Sequence, residues 1–448
     1  MVTQVTEQLA TILDQNHHGS AVGVYSICSA NRFVLEAGML QAKRDNSLLL
    51  IESTSNQVNQ FGGYTGQTPA QFASFVKEIA TAVKFPAEKI VFGGDHLGPN
   101  VWRHENPASA MQKAAELVRA CVLAGYTKIH LDASMRLAGD PGDRSAPLAE
   151  EIVSERAAEL CRAAESAHSE LAPGSPAPLY VIGTEVPIPG GELSDMRSPE
   201  ITRVKDAIRT GEMAKGLFEA RGLQSAWERV IAMVVQPGVE FGNASVCPYQ
   251  PECARELSRF VEEQWQGVYE AHSTDYQTPG ALREMVSDHF AILKVGPRLT
   301  FAFREAVFAL AAMEEEWLGD RKSIKLSRVR ESLEEVMVAN PEHWKSYYHG
   351  DEAALRFARK YSFSDRSRYY WPQPNVDAAF QKLIENLTLH PLPVSLVSQF
   401  LPNQGAAALA GAISTNPVEL IHNKILEVID DYAWACGMSL RSHCQCAA

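Results

Sequence analysis

Residues able to do chemistry recur where short β-rich runs end. KIVFGGDH (89–96) leads into Gly94-Asp95-His96-Leu97-Gly98-Pro99-Asn100, and KIHLDAS (128–134) closes on Asp132-Ala133-Ser134. LYVIGTEV (179–186) carries Thr184-Glu185, RVIAMVVQPGVEF (229–241) carries Gln236 and Glu240, and VYEAHST (268–274) ends in His272-Ser273-Thr274-Asp275. Adjacent Asp and His cannot both face one side of a regular strand. At a strand end the chain bends, so one can hold a metal while the other moves a proton. Two histidines and several carboxylates on one rim form a mixed N/O donor set, suited to zinc or a comparable divalent ion acting as Lewis acid. Each residue taken singly also has a structural role open to it: Asp95-His96 as a loop hydrogen-bond pair, Glu185 as a rim ion pair, Asp132 as a helix cap. His130, inside its run, reads as a satisfied core or rim histidine. Polar endings on five successive runs favour a shared metal or substrate site.

LKVGPRLTFAFREA reads as a strand, a Gly-Pro turn and a helix start, which would aim backbone N–H groups at an anion, with Lys294 and Arg298 adding positive charge. An ordinary turn with solvated basic residues would look the same. GGYTGQTP is another Gly-rich turn opening a helix, but it lacks the Gly-Lys-Ser/Thr of a nucleotide loop, which disfavours a kinase.

The elements that must position these residues are eight such runs, the others being 22–29, 47–55 and 290–297. Most are continuously apolar, as strands buried on both faces of a parallel sheet must be. Amphipathic segments separate them, for example NPASAMQKAAELVRACVLAG, with Asn106 as N-cap, Pro107 in the first turn and Gly125 as stop. Eight βα units predict a (β/α)8 TIM barrel over residues 1–300, its site at the C-terminal strand ends. From 301 to 448 the pattern turns helical, read as a C-terminal extension packed on the barrel, with the aromatic stretch RKYSFSDRSRYYWPQPN as an ordered loop.

With 448 residues, 46% hydrophobic, the chain has ample core; 41 basic against 54 acidic residues give −13, which argues against a nucleic-acid partner. No apolar run approaches a membrane span and the N-terminus lacks a secretory pattern, so the expected setting is cytoplasmic. Eight scattered cysteines without a CxxC pair predict reduced thiols; Cys444 and Cys446, with His443, read as a frayed end.

GVYSICSANRFVLEAGMLQA, LLIESTSNQVNQFGGYTG, VFGGDHLGPN, KIHLDASM, GTEVPIPGG, VQPGVEFG, EAHSTDYQT, LKVGPRLTFAFREA and YSFSDRSRYYW together resemble the D-tagatose-1,6-bisphosphate aldolase Z-subunit family. That family is the so-called non-catalytic partner of a class II aldolase, sometimes labelled tagatose-6-phosphate kinase. The resemblance covers residues 21 to 371 and implies a class II aldolase-like barrel. Against the catalytic class II enzymes, Asp95 is similar to their proton-transfer residue and His96 to a zinc ligand. Asp132-Ala133-Ser134 resembles their Asp-Gly-Ser strand end, Glu185 a glutamate that holds a displaced metal, and His272 a late zinc ligand. Their middle histidine has no counterpart, Gln236 or Glu240 standing in that region, and their Gly-Gly-Ser phosphate loop is missing.

The candidate catalytic groups are therefore Asp95 and Glu185, and the candidate metal ligands His96, Glu185, Glu240 and His272. Asp132, Ser134, Gln236 and Asn100 are candidate substrate contacts, and Lys294 and Arg298 candidate phosphate contacts. The implied cofactor is a divalent metal such as zinc, and an oligomer is expected. Two functions follow: an aldolase subunit in ketohexose (tagatose/galactitol) phosphate catabolism that supports a separate catalytic aldolase, or a metal-dependent C4 epimerase of tagatose and fructose or their phosphates, working by retro-aldol cleavage.

Overall fold

The computed structural model describes residues 5–142, 148–183 and 199–439. Eight parallel strands close a barrel in sequence order, β1 (Val24–Ile27) pairing with both β2 (Leu49–Thr54) and β8 (Phe290–Val295). Between them stand β3 (Ile90–Leu97), β4 (Lys128–Leu131), β5 (Leu179–Ile182), β6 (Val230–Val234) and β7 (Val268–Ala271). The predicted TIM barrel is the observed fold. One run behaves differently: 229–241 stops as a barrel strand at Val234. Pro237 cannot donate to a ladder and Gly238 turns with φ +92°, so Glu240–Phe241 pairs antiparallel with Val246–Cys247 instead.

Alternation along the strands stacks the interior in layers. Val24, Leu50, Val91, Val181, Val268 and Ile292 form an apolar floor, plugged from below by Leu9 and Leu13 of the N-terminal helix Val5–His17. Two residues further along lie Glu52, Gly93, Glu270 and Lys294, and the polar rim begins above them. Gly93 pairs with Glu52 across the ladder, and a Cβ there would fall 2.5 Å from the Glu52 carboxylate; the missing side chain makes room for that charge.

Helices cover the outside, and local chemistry sets their starts. Asn31 accepts from the N–H groups of Phe33 and Val34, Thr68 closes a capping box with Gln71, and Asn106 accepts from Ser109 N–H ahead of the predicted helix Pro107–Leu123. After β8 the helix Pro297–Leu318 leads into a helical C-terminal region. That region returns: its last helix, Pro417–Ala435, packs against Arg32–Asp45, Pro279–Ser287 and Pro297–Leu318. The Gly23 N–H donates to Cys436 O at 3.0 Å, Arg283 to Ala435 O at 3.0 Å, and Tyr432 Oη to Thr274 O at 2.9 Å. The helix Pro417–Ala435 thus lies alongside the first strand. No helix among the described residues is long and apolar enough to cross a membrane, and the described cysteines are all free thiols.

Gly98, just past β3, packs against the backbone just past β4, a Cβ there meeting Asp132 O at 1.5 Å. Its φ of −171° suits any residue, so the constraint is space alone. Gly98→Ala should cost about 2–4 kcal/mol in urea unfolding, through displacement of the Asp132 strand end.

Candidate active site and metal centre

Strand β3 carries one extra residue against β4: Gly94 pairs with Ile129 and Leu97 with Leu131, so three steps on one strand meet two on the other. This is a β-bulge. His96 takes the left-handed φ of +49°, uncommon for a non-glycine residue. The bend brings Asp95 and His96 to one site, as reasoned for adjacent residues at a strand end.

Below them runs a buried ion network. Lys128 Nζ bridges Glu52 and Glu270, all three fully shielded from solvent. Lys294 Nζ contacts Glu52, lies 2.6 Å from Asp95 Oδ1 and 3.5 Å from Glu270 Oε1. Burial by itself would raise the Asp95 and Glu270 carboxyls, but Lys294 beside Asp95, and Lys128 with Lys294 beside Glu270, hold both well below the ordinary range.

Above the network three imidazoles pack together, ring centroids 4.8 Å (His96–His272), 5.1 Å (His96–His130) and 5.3 Å (His130–His272) apart. His96 Nδ1 bonds Asp132 Oδ2 at 2.7 Å, and Ser134 fixes Asp132 in turn through its hydroxyl (2.7 Å) and N–H (3.1 Å). Burial opposes charge on His96, yet Asp95 and Asp132 draw its pKa up. His272, 3.1 Å from Glu270 Oε1, goes the other way: burial outweighs that bond and pushes it down to about 3, a neutral imidazole. His130 Nδ1 lies 3.2 Å from both the His96 N–H and Asp95 Oδ1, while its buried Nε2 has no hydrogen-bond partner.

Asp95, His130, Glu270 and His272 each offer a ligand atom within 4.8 Å of the others. Three carboxylates here (Glu52, Asp95, Glu270) share two lysines (Lys128, Lys294), which leaves a surplus of negative charge that a divalent cation would offset. The unpartnered imidazole nitrogen, the mixed donors and the charge all fit such an ion. Cys28, Glu52 and Asp95 form a second close group, but it offers no imidazole, and burial pushes the Cys28 thiol up, away from the thiolate that a metal would take.

A cavity opens above this cluster, lined by Asp95, His96, His272, Asp275 and Lys294 from the barrel and by Arg368 and Tyr369 from the C-terminal region. Of the residues expected at the site, Asp95, His96, His272 and Lys294 meet there, with Asp132 and Ser134 behind His96. Gln236 instead accepts the Gly238 N–H, Glu240 accepts the Phe241 N–H, and Asn100 and Arg298 are not among the cavity's lining residues. Glu185 lies outside the described residues, as do His443, Cys444 and Cys446. Glu52, Lys128, Glu270 and Arg368 were not anticipated, and Asp275, noted at the end of its run, was given no role. Glu270 and Lys128 sit two residues before His272 and His130, so the period of two in EAH and KIH was the available signal. His130, expected as a satisfied histidine, belongs to the cluster.

Asp275 spans the start of the last barrel turn, its Oδ1 accepting the N–H of Gly296 (3.1 Å) and Arg298 (2.7 Å). Burial nevertheless raises it to about 6.

A family model described as D-tagatose-1,6-bisphosphate aldolase subunit GatZ/KbaZ-like matches residues 9–437. The structure of a probable tagatose 6 phosphate kinase from Sinorhizobium meliloti 1021 is 43% identical, covers 92% of this chain and all of its own, and superposes with a TM-score of 0.84. A fructose-bisphosphate aldolase from Campylobacter jejuni (13% identity, 86% of this chain and 92% of its own, TM-score 0.44) and the YdjI aldolase from Escherichia coli K12 (10%, 85% and 96%, 0.40) are too distant to bear on the argument.

Two outcomes are expected. Lys128→Met leaves Lys294 alone to balance the buried Glu52, Glu270 and Asp95 and should lower unfolding free energy by about 3–5 kcal/mol in denaturant titration. A folded-state Asp275 near 6 against about 3.8 unfolded means stability present below about pH 3.8 and lost as pH rises through about 6. Between pH 4 and 7 the native chain should therefore lose on the order of 2–3 kcal/mol relative to Asp275→Asn, read from paired unfolding curves. With these features in place, the chain belongs to the GatZ/KbaZ-like family of D-tagatose-1,6-bisphosphate aldolase subunits.

Proposed function

We propose that this aldolase-family subunit keeps a working divalent-cation site of its own and uses it to open and reclose the C3–C4 bond of a ketohexose, giving C4 epimerisation between tagatose and fructose forms. The observation that carries the reading is the buried group Asp95, His130, Glu270 and His272 with its uncompensated negative charge and the unpartnered His130 Nε2. His130 would stand in for the histidine that the β6 region lacks, and His96, backed by Asp132, would complete the imidazole set. When bound, the ion supplies Lewis acidity for the charge that develops on the ketone fragment.

The chain's own groups do the rest. Asp95, kept ionised by Lys294, accepts the C4 hydroxyl proton as the bond opens. Lys294 and Lys128 steady the acidic layer beneath, so that the protonation of Asp95 does not unseat its neighbours. Asp275 at the same mouth can carry a proton near neutral pH. Tyr64, Phe241 and Tyr369 line the opening and limit water access, which favours return of the rotated aldehyde over its escape.

The experiment is the purified chain alone, assayed for bound metal and for interconversion of tagatose 6-phosphate and fructose 6-phosphate, and of the free sugars. Expected are turnover that chelator abolishes and zinc restores, and a drop of about 100-fold or more in Asp95→Asn. A metal-loaded chain that leaves C4 untouched sinks the reading.

Family membership favours a second role, support of a separate catalytic aldolase subunit. In that case Asp95→Asn still raises the melting temperature of a co-expressed tagatose-bisphosphate aldolase.

A further inference from the structure

Resting on that reading of a ketohexose site, we infer that the substrate's terminal phosphate is held by Arg368, a residue of the C-terminal region, and not at the Gly-Pro turn after β8. The β8 turn has the ingredients of an anion site, yet the protein fills it with its own groups. The N–H groups of Gly296 and Arg298 both point to Asp275 Oδ1. Lys294 is committed to Glu52 and Asp95. The Arg298 guanidinium lies over the rings of Tyr276 (5.3 Å) and Phe301 (5.7 Å), with Glu305 3.6 Å away. A phosphate placed there would face the Asp275 and Asp95 carboxyls.

Across the mouth stands a guanidinium with donors to spare. Besides Lys294 and the histidines, the one cation among the described residues lining this cavity is Arg368. It is held in place from behind: Nη1 donates to Ser364 O and Asp365 O, and Nη2 to Tyr369 Oη at 2.9 Å. Both Nη1 hydrogens are therefore spent, while the Nε–H and the second Nη2 hydrogen remain for a ligand. Two donors left over on one guanidinium can serve two phosphate oxygens. The turn bearing it is itself anchored, since Asp365 pairs with the buried Arg304 of the helix Pro297–Leu318 at 3.4 Å. Arg368 and Tyr64 also line a second cavity that adjoins the first and runs toward Ser29 and Asn31, giving room for a phosphate beyond the reacting carbons. The geometry suits an extended sugar, its ketone end over the imidazole cluster and its phosphate end against Arg368.

Equilibrium binding to the metal-free full-length chain tests this without turnover, using tagatose 6-phosphate, inorganic phosphate and free tagatose as separate probes in calorimetry. The native chain should bind the phosphate ester at least about tenfold more tightly than the free sugar. Arg368→Gln should erase that difference and Arg368→Lys restore part of it, while Arg298→Gln leaves it unchanged. Circular dichroism melts identify any variant that fails to fold, and Arg368→Lys, which keeps the charge, then decides by itself. Preference for the ester that persists in Arg368→Gln, or that vanishes in Arg298→Gln, overturns the inference. So does equal binding of ester and free sugar by the native chain, or binding of inorganic phosphate that Arg368→Gln does not weaken. Ester binding that depends on Arg368 in a chain that turns nothing over leaves the anchor standing and removes only the epimerase reading.

Discussion

Everything at the mouth of this barrel rests on a charged layer where most barrels would place aliphatic side chains. Glu52, Lys128, Glu270, Lys294 and Asp95 lie inside the strands, shielded from water, each carboxylate against an ammonium group. Ion pairs taken out of water are weak stabilisers, because desolvation consumes most of the attraction. Their value here is positional. A carboxylate gripped by two lysines, as Glu52 and Glu270 are, has one orientation, and Lys294 and His130 together fix Asp95 through its Oδ1. Apolar residues in this layer would make a sturdier barrel with no site.

The same layer explains why opposite shifts coexist within a few ångströms. His272 is neutral because burial dominates, whereas His96 is drawn toward the charged form by Asp95 and Asp132. Adjacent imidazoles whose proton affinities are pushed in opposite directions are suited to act as donor and acceptor.

The fold was legible because buried parallel strands leave a strong signature: continuous apolar runs at βα spacing, closed by turn residues. The mouth was half legible. Asp95, His96 and His272 end their runs and stand out, while Lys128 and Glu270 hide within them, visible only through their place two residues before a histidine, and Glu52 has no such marker. The phosphate expectation drew on Lys294 and Arg298 as types; their partners Glu52, Asp95 and Tyr276 come from other strands and turns, so no local reading could assign them. Arg368 is the extreme case. It lies more than seventy residues beyond β8, and only tertiary structure carries its turn back over the barrel.

The return of the helix Pro417–Ala435 to the side of β1 has a consequence for biosynthesis. The first strand emerges from the ribosome hundreds of residues before the surface that covers it, and the Gly23 amide waits for the Cys436 carbonyl. The nascent chain must therefore hold an apolar flank open until residues 417–436 have been made. A product stalled or clipped before them would present that flank to chaperones and to other chains.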